Sequence, residues 1–320
     1  MTTAEVAQIQ GLYDGASQTT ALVWHAEQLS TVARRMFVIG SCVTSPVTFF
    51  IDAPFGRFAL KDSSILVVDG LKSWIAMEVV APMTFLYSFL HSPLSPTSFG
   101  RSPPLSLSYP PTFLGILFLI HYLNRAILSP LRTPSRSRSH LVVVLCAISF
   151  NVVNGALMGS YLSSPSAANH LAGAFSRPLF WLGVGLWAFG FAGNILHDEI
   201  LLNLRRSAKA KGKARADDDD RKGKGKQEHY AIPYGYLYRF ISYPNYFCEW
   251  IEWLGFALAA SPVPSFASFP AFLASATPPF VFLLTELVLM LPRAYRGHKW
   301  YHSKFPDYPK ERKAVIPLLF

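Results

Sequence analysis

The chain has 320 residues, of which 51% are hydrophobic and 15% charged, against roughly a quarter charged in an ordinary soluble domain. The apolar residues gather into blocks long enough to cross a bilayer, about 20 residues each, which argues against a soluble fold and for one membrane-embedded unit. The net charge of +10 lies between those blocks and in the tail, so it reads as topology and not as a nucleic-acid footprint.

Residues 1–30 form an N-terminal segment that opens Met1-Thr2-Thr3-Ala4-Glu5. It lacks the basic region and short apolar core of a cleaved signal, so the first span is expected to act as the targeting signal. Apolar blocks follow near 31–51, 72–92, 112–131, 140–162, 178–202, 246–262 and 270–292. They are continuously apolar instead of alternating, which predicts helices and not a barrel. The expected fold is all-α, a polytopic membrane protein with about seven transmembrane helices.

The loops at 92–112 and 163–176 are poor in basic residues, whereas 132–138 and 205–226 are rich in them. That alternation predicts cytosolic basic loops and C-terminus, with the N-terminus across the membrane. Arg34 and Arg35, at the entrance of the first span, break the pattern. Residues 207–227, with repeated Lys, Gly and Ala around Asp217 to Asp220, have little to bury and are expected to be a disordered cytosolic insertion. Cys42, Cys146 and Cys248 are far apart and form no CxxC pair, so neither a disulfide framework nor a zinc site is expected.

Ionisable side chains inside apolar blocks carry the most information, because at membrane depth they usually face a bundle interior or a cavity. In the second block, Glu78 follows Trp74 by one helical turn, so both project from one face. A carboxylic acid kept neutral there can donate a hydrogen bond to a substrate carbonyl; the other reading is a carboxylate paired with a basic group from another helix. In the third block, His121-Tyr122-Leu123-Asn124-Arg125 puts Tyr122 and Arg125 on a shared face. A phenol can polarise a carbonyl and a guanidinium can meet a phosphate, while the plainer reading is an interfacial tyrosine and a snorkelling arginine.

In the fifth block, Asn194, Asp198 and Arg205 fall within about 40° of one another around the helix, a polar stripe whose amide, acid and cation suit a ribose and phosphates. His197 lies off this stripe and reads as a structural hydrogen-bonder; no metal is expected. Asn245, Glu249, Glu252 and Trp253 share one face of the sixth block. The tail from Arg293 to Lys313 is cationic with interleaved aromatics, as in a nucleotide lid or a helix on lipid headgroups. No GxGxxG follows a strand and no Walker loop is present, so the common soluble nucleotide folds are excluded as the source of the chemistry.

Several of these segments resemble the steroid 5α-reductase family, in order and spacing. They are Asn194-x-x-x-Asp198, Tyr230-x-Ile232-Pro233, Tyr243-Pro244-Asn245-Tyr246-x-x-Glu249, Glu252-Trp253, His298-Lys299-Trp300-Tyr301 and Phe305-x-Asp307-Tyr308-Pro309-x-x-Arg312-Lys313-Ala314-x-Ile316-Pro317. The match is best over 178–320 within a membrane domain at 31–320. Trp74-x-x-Met77-Glu78 and His121-Tyr122-x-x-Arg125 resemble that family's substrate-side segments, with Met77 as in plant-type members.

The resemblance implies NADPH-dependent reduction of a C=C bond conjugated to a carbonyl in a hydrophobic lipid, most closely a 3-oxo-Δ4-steroid, at the endoplasmic reticulum. It assigns the carbonyl to Glu78 and Tyr122 and the substrate wall to Trp74. The cofactor falls to Arg125, Asn194, Asp198, Arg205, Tyr230, Asn245, Glu249, Trp253, His298 and Tyr301, with Arg136 and Arg138 as further candidates. The rival activities are a very-long-chain trans-2-enoyl-CoA reductase, a polyprenol reductase and an isoprenylcysteine-type methyltransferase. Expected partners are the bilayer and the lipid substrate, with no nucleic acid and no metal.

Overall fold

The computed structural model describes residues 3–51, 66–97, 99–134, 136–216 and 230–320. All seven apolar blocks fall on helices. The helices are α1 (Thr3–Thr48), α2 (Gly70–Glu78), α3 (Val80–His91), α4 (Pro110–Tyr122), α5 (Ser129–Arg132), α6 (Leu141–Leu162), α7 (Pro165–Leu171), α8 (Pro178–Ala216), α9 (Pro244–Ala260), α10 (Phe269–Ser275) and α11 (Pro278–Lys304). Two-residue strands β1 (Val67–Val68) and β2 (Ser139–His140) pair antiparallel, Val67 with His140 and Val68 with Ser139. Among the described residues, five helical stretches are long and apolar enough to cross a membrane: Gly70–His91, Pro110–Arg132, Leu141–Leu162, Pro178–Ala208 and Pro278–Lys304. The protein is an all-α polytopic membrane protein.

The N-terminal segment 1–30 and the first apolar block share one helix, α1, of 46 residues. The insertion expected at 207–227 begins as helix, since α8 continues to Ala216, and residues 217–227 lie outside the described residues. Arg34, which disagreed with the charge pattern, donates from Nη1 to the Ala276 carbonyl at 2.6 Å just past α10. Its charge is therefore spent on a helix terminus, where cations are favoured.

Prolines shape the two helices that carry the first candidate residues. Pro82 has no N–H to give the Glu78 carbonyl, and the helix breaks at Val79, between α2 and α3,. Pro130 likewise leaves the Ala126 carbonyl without its usual donor, and Leu123–Leu128 winds as a π-helical segment between α4 and α5,. Glu78 and Arg125 thus sit at irregular points of their helices.

Small residues let the interior helices approach. A Cβ at Gly190 of α8 would run into the backbone of Cys248 and Glu252 on α9, and one at Gly159 of α6 into the backbone of Phe85 on α3,. The core between them is aromatic, with Phe85 stacked on Phe118, and Trp253 set edge-on to both Phe118 and Phe282. The outer faces are apolar and exposed, for example Met83, Leu145, Leu182 and Phe189, as expected of surfaces that meet lipid,. The C-terminal tail folds back: Ser242 and Tyr243 donate their backbone N–H groups to Lys313 and Ala314, at 2.9 and 3.0 Å.

Candidate active site

One polar network ties α2, the π-helical segment, α8 and α9 together. Arg125 donates from Nε to Glu78 Oε2 at 3.0 Å and from Nη1 to Glu249 Oε1 at 2.7 Å. Asn194 donates to Glu249 Oε2 and to the Asn245 carbonyl, both at 3.2 Å, and Asn245 donates to Asp198 Oδ1 at 3.0 Å. The i, i+4 spacing of Asn194 and Asp198 on α8 matches that of Asn245 and Glu249 on α9. The carboxylate reading of Glu78 is the one the geometry carries, since its carboxyl is paired with a guanidinium from another helix.

Arg125, Asn194, Asp198, Asn245 and Glu249 line a cavity of about 190 Å³, together with Trp74, His121, Asn124, Arg136 and Arg205. Trp74 donates from Nε1 to the Arg125 carbonyl at 3.2 Å, and the Arg136 guanidinium lies 3.5 Å from its ring centroid,. Trp74 therefore faces the polar cavity. Burial and the neighbouring Arg205 push the Arg136 guanidinium down to about 10, which still leaves it cationic at neutral pH. Neither Arg136 nor Arg205 has an ion-pair partner among the described residues.

Behind the cavity, His121 Nδ1 meets Glu252 Oε1 at 2.7 Å, and the His121 ring lies edge-on to Trp253. Trp253 is thus a buried support under His121. The Tyr122 hydroxyl accepts from Asn154 Nδ2 of α6 at 2.9 Å. A phenol that accepts one hydrogen bond still has its own hydrogen to donate. Asn151, one turn before Asn154, donates to the Met77 carbonyl at 2.7 Å and so ties α6 to the turn that ends in Glu78.

Three expected cofactor residues lie in a neighbouring cluster. Ser242 Oγ joins His298 Nδ1 at 2.6 Å and the Tyr308 hydroxyl at 2.7 Å, Tyr301 stacks on Tyr308, and the Tyr230 ring packs edge-on to Trp300. Burial pushes the Tyr308 phenol up, so it stays neutral while holding Ser242. His197 bridges the Gly193 carbonyl and the Leu237 N–H, a structural role. Among the described residues no group of three or more His, Cys, Asp and Glu is placed to hold a metal.

Sequence reasoning left out Asn154, the His121–Glu252 pair as a site element, and Glu286. Glu286 of α11 is 9% exposed and within electrostatic reach of Glu249, Arg125, Glu78 and Tyr122. The signal for it was present, because Glu286 is the only charged residue in the seventh block, the same argument that singled out Glu78.

The profile of the family described as 3-oxo-5-alpha-steroid 4-dehydrogenase matches residues 137–320. An uncharacterized protein of Schizosaccharomyces pombe is 40% identical over 294 residues, covering 89% of this chain and 96% of that protein. The 3-oxo-5-alpha-steroid 4-dehydrogenase 1 of Rattus norvegicus is 30% identical over 269 residues, 84% of this chain and 87% of its own. The steroid 5-alpha-reductase DET2 of Solanum lycopersicum is 35% identical over 280 residues, 85% and 89% respectively. With a family profile over more than half of the chain and relatives aligned along most of it, this protein belongs to the 3-oxo-5-alpha-steroid 4-dehydrogenase family of oxidoreductases.

Proposed function

We propose that the protein uses NADPH to reduce the C=C bond of an α,β-unsaturated carbonyl lipid, a 3-oxo-Δ4-steroid. Its basic loops and C-terminus would face the cytosol from the endoplasmic reticulum membrane. The observation that supports the cofactor most strongly is the pair Arg136 and Arg205, two guanidiniums without ion-pair partners among the described residues, lining one cavity with Asn194, Asp198, Asn245 and Glu249. Phosphates suit such cations, and the amides and carboxylates suit ribose hydroxyls. When bound there, NADPH supplies the hydride.

The chain's own residues then act on the substrate. Tyr122 donates to the carbonyl, and Asn154 fixes the phenol's direction beforehand, so the donor needs no reorientation as negative charge grows on the oxygen. Glu78 and Glu249 hold Arg125 at the boundary between the carbonyl end and the cofactor cavity. The steroid rests on the rat and tomato relatives, a 3-oxo-5-alpha-steroid 4-dehydrogenase and a steroid 5-alpha-reductase.

The test is NADPH oxidation by membranes containing the protein, with a Δ4-3-ketosteroid, a long-chain trans-2-enoyl-CoA, a polyprenal or no substrate, and products identified by mass spectrometry. Saturation of the steroid alone is expected. Turnover of the enoyl-CoA or polyprenal alone would reassign the substrate, and no NADPH binding would overturn the cofactor.

A further inference from the structure

Reduction of an enone places two hydrogens, and the hydride is only one of them. The hydride adds to the β-carbon, the C=C π electrons move onto the carbonyl, and Tyr122 steadies the resulting enolate oxygen. The α-carbon must then take a proton from some acid.

The acids around Tyr122 and Arg125 differ in what holds them. Glu78 and Glu249 both bond Arg125, and Glu252, fully buried, meets His121 at 2.7 Å. Glu286 lies within electrostatic reach of all three and of Tyr122, yet no hydrogen bond or ion pair reaches its carboxyl from any described residue. The four carboxyls have one arginine and one histidine as direct partners, while Arg136 lies within electrostatic reach of Glu78 and a fifth acid, Asp198, within reach of Glu249, so acids still outnumber cations. Full ionisation would leave excess negative charge in a dry interior, where an uncompensated carboxylate is far costlier than a neutral acid.

We infer that Glu286 holds a proton and delivers it to the α-carbon of the reduced substrate. The step rests on the reductase reading above and balances: the enolate carbonyl reforms, the α C–H bond forms as the Glu286 O–H bond breaks, and the carboxylate left behind regains a proton from water. Neutral Glu286 also lets the site accept a transient oxyanion beside it, which an ionised carboxylate there would repel.

The test uses the full-length protein in lipid nanodiscs. Infrared spectra in H2O and D2O are compared between wild type and Glu286→Gln for the C=O stretch of a protonated carboxylic acid. Turnover of the enone, NADPH affinity and the solvent deuterium isotope effect are measured on the same samples, with Glu286→Asp as the conservative variant. Glu286→Gln is expected to lose one isotope-sensitive acid band and about 100-fold or more in kcat, with NADPH affinity unchanged, and Glu286→Asp to recover part of the rate. An acid band unchanged in Glu286→Gln, or wild-type turnover in that variant, would overturn the inference and leave the reductase reading intact. A wild-type protein that binds NADPH but reduces no enone would remove the reductase reading, and the donor role with it.

Discussion

Arg125 reaches Glu78 on α2 and Glu249 on α9 from a single side chain that is 29% exposed. Replacing it with leucine strands two carboxylates that it now compensates, and removing one partner of a buried ion pair costs about 3–5 kcal/mol. Partial exposure places Arg125→Leu at the lower end, measurable as a lowered denaturation midpoint in detergent. Tyr122→Phe keeps the ring and its packing but removes the donor, so kcat should fall about 10²–10³-fold with NADPH affinity unchanged; equal loss of both would make Tyr122 part of the cofactor site. At this scale the sequence was legible where a charge interrupts an apolar block, as with Glu78, Arg125 and Asp198. It was less so for neutral amides: Asn154 is one polar residue among several in its helix, and only the fold brings its Nδ2 to the Tyr122 oxygen.

The pairing of α8 with α9 frames the polar cavity, and Gly190 sets their separation at the level of Glu252. Gly190→Val would force the helices apart, at an expected cost of about 1–3 kcal/mol, and would weaken NADPH binding because Asn194 and Glu249 straddle the joint. A variant with wild-type stability and affinity would contradict this packing. The elements themselves were readable, since continuous apolar runs and the lack of alternation demand helices. Their irregularities were only half readable: Pro82 and Pro130 announce disturbed helices, but not that the disturbances place Glu78 and Arg125 3.0 Å apart. Local composition separates residues 1–30 from the first apolar block, while the helix runs through both, because a polar helix can continue an apolar one when the backbone hydrogen bonds run on unbroken,.

Across the whole molecule, the site assembles from segments more than a hundred residues apart, Trp74 at one end and Glu249 at the other. Spacing rules see only one helix at a time, so the stripe on α8 and the face of α9 could each be drawn from the sequence, but their mutual contact could not. Family resemblance supplied the grouping, and it also drew in His298 and Tyr301, which the fold puts with Ser242 and Tyr308.

If Arg136 and Arg205 receive phosphates, NADPH affinity should fall as salt rises, and the fall should be shallower in Arg136→Ala and Arg205→Ala. A slope that those variants leave unaltered would remove them from the cofactor site. With the Arg136 guanidinium lowered to about 10, its charge is complete at pH 7 and is lost as pH rises through that value. Affinity should therefore hold between about pH 7 and 9 and decline above about 10 in wild type, with a smaller decline in Arg136→Ala.

The proposed reaction is hydride transfer from NADPH to the β-carbon of an unsaturated carbonyl lipid. The most direct test gives the protein NADPH carrying deuterium at the transferable C4 position, with a Δ4-3-ketosteroid, and locates the label in the product by NMR. Deuterium at C5, the β-carbon, with an unlabelled solvent proton at C4 is the predicted result. Deuterium at the carbonyl carbon, or a saturated product without label from the cofactor, would contradict it.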